Sequence, residues 1–343
     1  MSAPRVTVLM PAWNAAEYLA EALESIWRQS YSDFELLVVD DGSTDRTPDV
    51  LAACGDSRLR VLRNETRRKL SGALNRGLEE ARGEFVARMD ADDRMRPDRL
   101  AQQVEHMERH AEIGCCGGWV RPFGAGPRKI QKYPVGAERA KAFSLFYSPL
   151  AHPAAMFRRE WFEREGLRYD GSYYPTEDYE LWSRALLRFP CDNLPRVLVD
   201  YRVHGKSMTG GEWSDMDAQT VRVQRRILAQ LGVEPSAEES RLHRAASMGL
   251  LPAAPESFAQ TEAWLLKLEA ANRKAGVFDP DALAGMLNYV WFRTSMAAVR
   301  EMGGAAWRAF RQSRLSTVGP DARPRRWTMR LAAAKADFGG SRR

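Results

Sequence analysis

Four short apolar runs, separated by stretches of helical periodicity, restrict the fold of this 343-residue chain more than any other feature. Arg5-Val6-Thr7-Val8-Leu9-Met10 reads as a buried strand ended by Pro11, Phe34 to Val39 as a second, Arg60-Val61-Leu62 as a third, and Glu84 to Arg88 as a fourth bounded by Gly83. Between them, Leu19, Ala22, Leu23, Ile26 and Trp27 share one helical face, and Asn14 with Glu17 three residues on predicts a capping box ahead of it. A helix is expected from about Thr47 to Ala53, and Leu70, Ala73, Leu74, Gly77, Leu78 and Ala81 give the stripe of another. Strand and helix in steady alternation predict an α/β fold with a doubly wound, mostly parallel sheet.

Two of these strands end in carboxylates. The fourth runs into Asp90-Ala91-Asp92-Asp93, three acids that repel one another and lose hydration when partly buried, a state a hard cation relieves. Mg²⁺ or Mn²⁺ suits oxygen ligands and accepts substrate phosphates as further ligands. An acidic turn capping the next helix is the competing reading. Asp40-Asp41 ends the second strand and should share the rim beyond the strand C-termini where α/β sheets bind ligands, whereas Asp45 is expected to cap a helix. Neither phosphate-binding glycine fingerprint occurs, which weakens the dehydrogenase and P-loop readings and leaves phosphate charge to a metal and to Arg67, Arg68 and Lys69. Glu177 and Asp178 open a helix predicted from Asp178 to Arg188, whose dipole favours ionised carboxylates able to take a proton from an attacking hydroxyl. His204 and, more weakly, His152 are candidate ligands, and Trp13 can stack on a base or belong to the core.

The middle of the chain is less regular. A helix is expected after Pro97, strands at Gly114 to Val120, Ala155 to Phe157 and Val197 to Tyr201, a loop from Pro122 to Pro127, and a helix from Arg159 to Glu165. Beyond residue 212 the chain reads as helices at Met216–Leu231, Glu238–Met248, Phe258–Ala275, Pro280–Arg300 and Trp307–Arg314, followed by a basic tail with Arg323, Arg325, Arg326, Arg330, Lys335, Arg342 and Arg343. Domains at 1–212 and 213–343 follow. A formal charge of +6 favours anionic ligands or membrane surfaces, and no nucleic-acid-binding signature accompanies it. Cys54, Cys115, Cys116 and Cys191 suit neither zinc nor a disulfide framework. The early first strand leaves no room for a signal peptide, so a soluble cytoplasmic chain is expected.

Taken together, Val8-Leu9-Met10-Pro11-Ala12-Trp13-Asn14, Val38-Val39-Asp40-Asp41-Gly42-Ser43-Thr44-Asp45, Ala81-Arg82-Gly83-Glu84-Phe85 leading to Asp90-Ala91-Asp92-Asp93, and Glu177-Asp178-Tyr179-Glu180-Leu181-Trp182 resemble the family 2 glycosyltransferases over about residues 4 to 210. The resemblance implies a GT-A type, mostly parallel sheet flanked by helices, with a helical C-terminal extension outside the match. It implies inverting transfer of a sugar from a nucleotide diphosphate, usually a UDP-sugar, to a hydroxyl of a glycan or lipid-linked acceptor, in bacterial surface polysaccharide synthesis. On this resemblance Pro11, Trp13, Asn14, Asp41, Lys69 and Asp90 bind the nucleotide-sugar, Asp90, Asp92 and His204 hold Mg²⁺ or Mn²⁺, and Asp178 is the base with Glu177 beside it. A nucleotidyltransferase making nucleotide-sugars and a non-catalytic carbohydrate-associated scaffold are the rivals. The helical region and its basic tail are expected to shape the acceptor site, to pair with a second copy, to contact a membrane surface, or to cap the core.

Overall fold

The structure, a computed structural model, describes residues 3–126, 128–204, 213–250, 254–319 and 321–340. The contacts divide the chain into two units, Met1–Ala140 with Ser148–Gln219, and Lys141–Tyr147 with Thr220–Arg343. The expected boundary at Glu212 lies outside the described residues.

In the first unit, β1 (Val6–Ala12), β2 (Phe34–Asp40), β3 (Leu59–Arg63) and β4 (Phe85–Arg88) are parallel neighbours. The crossovers are α1 (Leu19–Trp27), α2 (Thr47–Ala52) and α3 (Lys69–Glu80). β1 and β2 read as continuous apolar runs because both faces of the sheet are covered. The pleat sorts their side chains in alternation. Val6, Val8 and Met10 enter one core layer with Leu19 and Ile26 of α1, and Leu9 enters the other with Ala73, Leu74 and Leu78 of α3. Gly77 of α3 lets the helix lie on the sheet, since a Cβ there would stand 2.2 Å from Leu9 Cδ1.

Further along come β5 (Arg94–Met95), α4 (Arg99–Arg109), β6 (Cys115–Gly124), α5 (Ala137–Phe143), β7 (Met156–Arg158), α6 (Arg159–Arg164), α7 (Glu177–Ala185) and β8 (Cys191–Val203). The eight strands run in the order β3-β2-β1-β4-β7-β6-β8-β5, with β7 antiparallel to β4 and β6, and β5 antiparallel to β8. This is the expected α/β architecture with helices on both faces. Trp182 of α7, fully buried, packs with Phe157 and Phe162 in the layer that also holds Leu9. Two local expectations fail. Residues 122–124 continue β6 beside β8 rather than forming a loop, because the ladder pairs Pro122 with Tyr201 and Gly124 with Val203; Pro127 lies outside the described residues. Asn14 does not cap α1. That helix starts after Tyr18 with no side-chain cap, while Asn14 adopts φ +50° and reaches the next loop.

The second unit is helical, with α8 (Trp213–Gln230), α9 (Ala237–Met248), α10 (Pro255–Ala275), α11 (Pro280–Met302), α12 (Gly304–Gln312) and α13 (Ala322–Gly340). A reciprocal capping box between Ser236 and Glu239 opens α9. His243 organises the centre of this unit. It is buried, its Nε2 lies 2.9 Å from Leu145 O, its Nδ1 accepts from Trp264 Nε1 at 3.0 Å, and its ring stacks on Phe146 at 4.4 Å. A neutral ring with its proton on Nε2 satisfies both contacts. Burial accordingly pulls its pKa down to about 4, from 6.5 for a free side chain. Below pH 6.5 the unfolded chain binds the proton that the folded site refuses, so stability falls as pH drops from 6.5 towards 4 and then levels. The cost is about 1.4 kcal/mol per pH unit, or roughly 3 kcal/mol over the window. Urea titrations at pH 7.0 and 4.5 should show this loss, and His243→Gln should remove that part of it.

Candidate functional site

Parallel strands end on the same edge of a sheet, so the carboxyl ends of β1, β2 and β4 lie together. The Asp41 amide donates to Ala12 O at 2.8 Å, which holds the end of β2 beside Pro11 and Trp13. Asp41 is buried, and its Oδ1 accepts from Asn64 Nδ2 at 2.6 Å and from the Arg68 amide at 2.8 Å, leaving Oδ2 for a ligand. Asp40 instead closes its own loop by accepting from the Ser43 amide at 2.9 Å. Asp45 does not take the cap position of α2, which falls to Arg46 with no side-chain cap; it closes the turn ahead of the helix, accepting from the Thr47 amide at 2.9 Å and the Ala16 amide at 3.1 Å.

Asn14 ties the two loops together: Oδ1 accepts from the Thr44 amide at 2.9 Å and its own amide donates to Ser43 Oγ at 2.9 Å. The half-exposed Trp13 is thereby fixed at the rim, with the Arg67 guanidinium 3.4 Å from its ring centroid in a cation–π stack. Two cavities share Pro11, Trp13 and Asp90. The smaller, about 160 Å³, adds Asp41, Arg67 and Lys69; the larger, about 470 Å³, adds Asn14, Tyr18, Asp92 and His204.

The acidic turn forms the floor of this region. One oxygen from each of Asp90, Asp92 and Asp93 lies within 4.8 Å of the others. Asp90 pairs with the buried Arg88 guanidinium, and Asp92 Oδ2 lies 3.0 Å from His204 Nε2. The His204 ring in turn stacks on Tyr18 at 5.1 Å. Asp93 is buried, its Oδ1 accepting from the Arg202 amide at 2.7 Å while Oδ2 has no hydrogen-bond partner. Burial is the main cause that raises the pKa of both Asp90 and Asp93, and the charge of Asp92 adds to it. A crowded, under-bonded oxygen set of this kind fits a hard divalent cation.

Glu177 and Asp178 sit in the first turn of α7. The Glu177 side chain is buried with Oε2 unpartnered, and burial, then the neighbouring Asp178 charge, push it up to about 7. Asp178 is half-buried and accepts from Ser148 Oγ at 3.5 Å; burial raises it too, against the opposing hydrogen bond from the Tyr179 amide. The helix dipole alone predicts ionised acids here, and burial outweighs it.

Three arginines and Tyr18 stand in or beside this site although no motif marks them. Arg88 is buried, pairs with Asp90 and also lowers the pKa of Glu177 and Asp178. Its sequence signal is a lone charge inside the apolar run Phe85-Val86-Ala87-Arg88-Met89. Arg202 locks the acidic turn to β8, its Nε donating to Asp92 O at 2.7 Å and its guanidinium lying 4.4 Å from the Tyr18 ring. Arg99 is wholly buried and donates to Arg88 O and Pro153 O, both at 2.8 Å, and to Gln103 Oε1 at 2.9 Å. Tyr169 OH meets His152 Nε2 at 2.9 Å, and burial, then the Arg88 charge, hold that histidine well below its usual pKa, so His152 is neutral.

A family model described as "Glycosyl transferase family 2" matches residues 7–166. An uncharacterized glycosyltransferase of Haemophilus influenzae is 30% identical over 216 residues, 59% of this chain and 66% of that protein, so the chain spans just under two thirds of its length. The Escherichia coli protein named UDP-Gal:alpha-D-GlcNAc-diphosphoundecaprenol beta-1,3-galactosyltransferase is 32% identical over 211 residues, covering 58% of this chain and 74% of that one. Among solved structures, S. aureus TarS 1-349 in complex with UDP-GlcNAc aligns over 98% of this chain and 92% of its own, at TM-score 0.56 and 18% identity, a likeness of fold. The chain belongs to glycosyltransferase family 2.

Proposed function

We propose that this chain is a metal-dependent, inverting glycosyltransferase that moves a sugar from a UDP-sugar to a hydroxyl of a glycan or lipid-linked acceptor in bacterial surface polysaccharide synthesis. The observation that carries the reading is the convergence of Asp41, Asp90, Asp92 and His204 on adjoining cavities at the strand ends. The name of the E. coli relative supports both the UDP-linked donor and the lipid-diphosphate acceptor.

In this reading Trp13 and Pro11 flank the base, Asp41 Oδ2 accepts from the base or ribose, and Asp90 meets the ribose. Asn14 acts mainly by holding the Trp13 loop, and Lys69, at the rim of the smaller cavity, faces the diphosphate. Asp90, Asp92 and His204 would hold Mg²⁺ or Mn²⁺, with Asp93 anchoring their turn. The cation supplies charge neutralisation for the departing diphosphate. Asp178 takes the acceptor hydroxyl's proton as that oxygen forms its bond to the anomeric carbon, while the carbon–phosphate-oxygen bond breaks and its electron pair leaves with the nucleotide diphosphate. Attack opposite to departure inverts the anomeric centre. A carboxylate of raised pKa is the stronger base once ionised; burial raises Asp178, and the hydrogen bond from the Tyr179 amide and then the Arg88 charge oppose that rise. Residues 1–212 carry donor chemistry here and 213–343 form the extension.

Incubation with Mn²⁺ and a panel of UDP-, GDP- and dTDP-sugars tests the donor class. Slow release of UDP from one or more UDP-sugars, and of neither other nucleotide, is the expected result. Release from GDP- or dTDP-sugars alone would refute the UDP assignment, and no release at all would favour the scaffold.

A further inference from the structure

The second unit carries a surface that sugar transfer leaves without a task. α13 buries Ala322, Met329 and Ala333 against its own unit, where it packs on α11 and α12. Its outward side holds Trp327, 65% exposed, and Leu331, 55% exposed, one turn apart. Arg323, Arg330 and Lys335 are exposed on the same side, since residues three and four apart share a helix face. The Arg330 guanidinium lies 5.9 Å from the Trp327 ring, so charge and aromatic surface are contiguous.

From Gly304 to Arg343 the sequence has ten basic residues and two acids, Asp321 and Asp337, and none of the acids falls between those two positions. Arg325 is turned inward, donating to Gly285 O at 3.1 Å and Asn288 Oδ1 at 2.6 Å, so the outward basic set is distinct from the charges that hold the helix in place.

We infer that the outward face of α13 is a docking surface for an anionic lipid bilayer. A helix lying in the interface presents Trp and Leu to the acyl boundary and cations to the headgroups, and this face has that composition. Charge selects this occupant over two others. A second copy docked by the same face would bring Arg323, Arg330 and Lys335 against their own equivalents around a two-residue apolar patch, far below the area of a stable interface. A nucleic acid would use the cations but leave Leu331 in water. No helix among the described residues is long and apolar enough to cross a membrane, so the contact is peripheral.

The test is flotation of the full chain with vesicles of phosphatidylcholine alone and with about a third phosphatidylglycerol, at low and physiological salt. Binding should require the anionic lipid and weaken with salt. Each cation near such a surface is worth about five-fold in partitioning, so the triple variant Arg323→Gln, Arg330→Gln, Lys335→Gln should lose at least ten-fold. Trp327→Ser with Leu331→Ser should also lose binding while keeping its circular dichroism and UDP affinity, which separates this inference from the donor site. Equal binding to neutral vesicles, or undiminished binding by both variants, would overturn it. So would concentration-dependent dimerisation abolished by the Ser pair, or binding to a mixed-sequence oligonucleotide that the Ser pair leaves intact and that excludes vesicles.

Discussion

Replacing Asp178 with Asn should lower the transfer rate by a factor of about 10²–10⁴, the usual range for loss of a positioned base, with UDP affinity nearly unchanged. The amide keeps the size of the carboxylate and the contact with Ser148 Oγ, so the turn at the start of α7 should hold its shape. What it lacks is a basic oxygen. The pH profile gives the same claim a second reading. Burial raises Asp178 and brings Glu177 to about 7, so the pair protonates at higher pH than free acids, and wild-type activity should fall as pH drops through that range. Steady-state rates from pH 5 to 8 should show this acid limb in the wild type and a flat, low profile in the Asn variant. An Asn variant within ten-fold of wild type would move the base elsewhere. Glu177→Gln should cost less, because the Glu177 side chain is buried whereas Asp178 is partly open.

Asp92→Ala should sharply lower transfer by a different route. It removes a ligand oxygen and the carboxylate partner of His204, and loss even of an outer partner of a metal ligand typically costs 10–100-fold in metal affinity. The variant should need at least about 10²-fold more Mn²⁺ for whatever activity remains. Its folding should move the opposite way. Asp92 raises the pKa of both Asp90 and Asp93, so deleting that charge relieves repulsion in the metal-free protein. Thermal unfolding in EDTA should therefore show no loss of stability, whereas loss of both activity and stability would mark Asp92 as a structural residue.

The strands that position this site are legible because burial on both faces writes itself into Val6–Met10 and Phe34–Val39 as unbroken apolar runs, and because each crossover helix buries one stripe. The acids at the strand ends were legible as a rim for the same reason. Less of the second half was. β5 is two residues long, and β8 starts at Cys191 and continues through Pro195, a residue that speaks against a strand when only local pattern is read. α13 lies inside what reads only as a basic tail; its Pro324 sits in the helix's first turn, where the missing N–H costs nothing. Asn14 cannot be placed from local pattern because its partners, Thr44 and Ser43, lie some thirty residues away in sequence and beside it in the fold. Arg88, Arg99 and Arg202 act through buried contacts to backbone and carboxylates that no spacing announces. A charge in the middle of a buried strand was the one available hint.

The account rests on the adjoining cavities at the strand ends being a nucleotide diphosphate site. Calorimetric titration of UDP into the wild-type chain with Mn²⁺, then in EDTA, and finally into Asp92→Ala with Mn²⁺, tests this most directly. The prediction is binding with Mn²⁺, weakened sharply in EDTA and lost in the variant. No heat with the metal present, or equal binding in all three titrations, would contradict it.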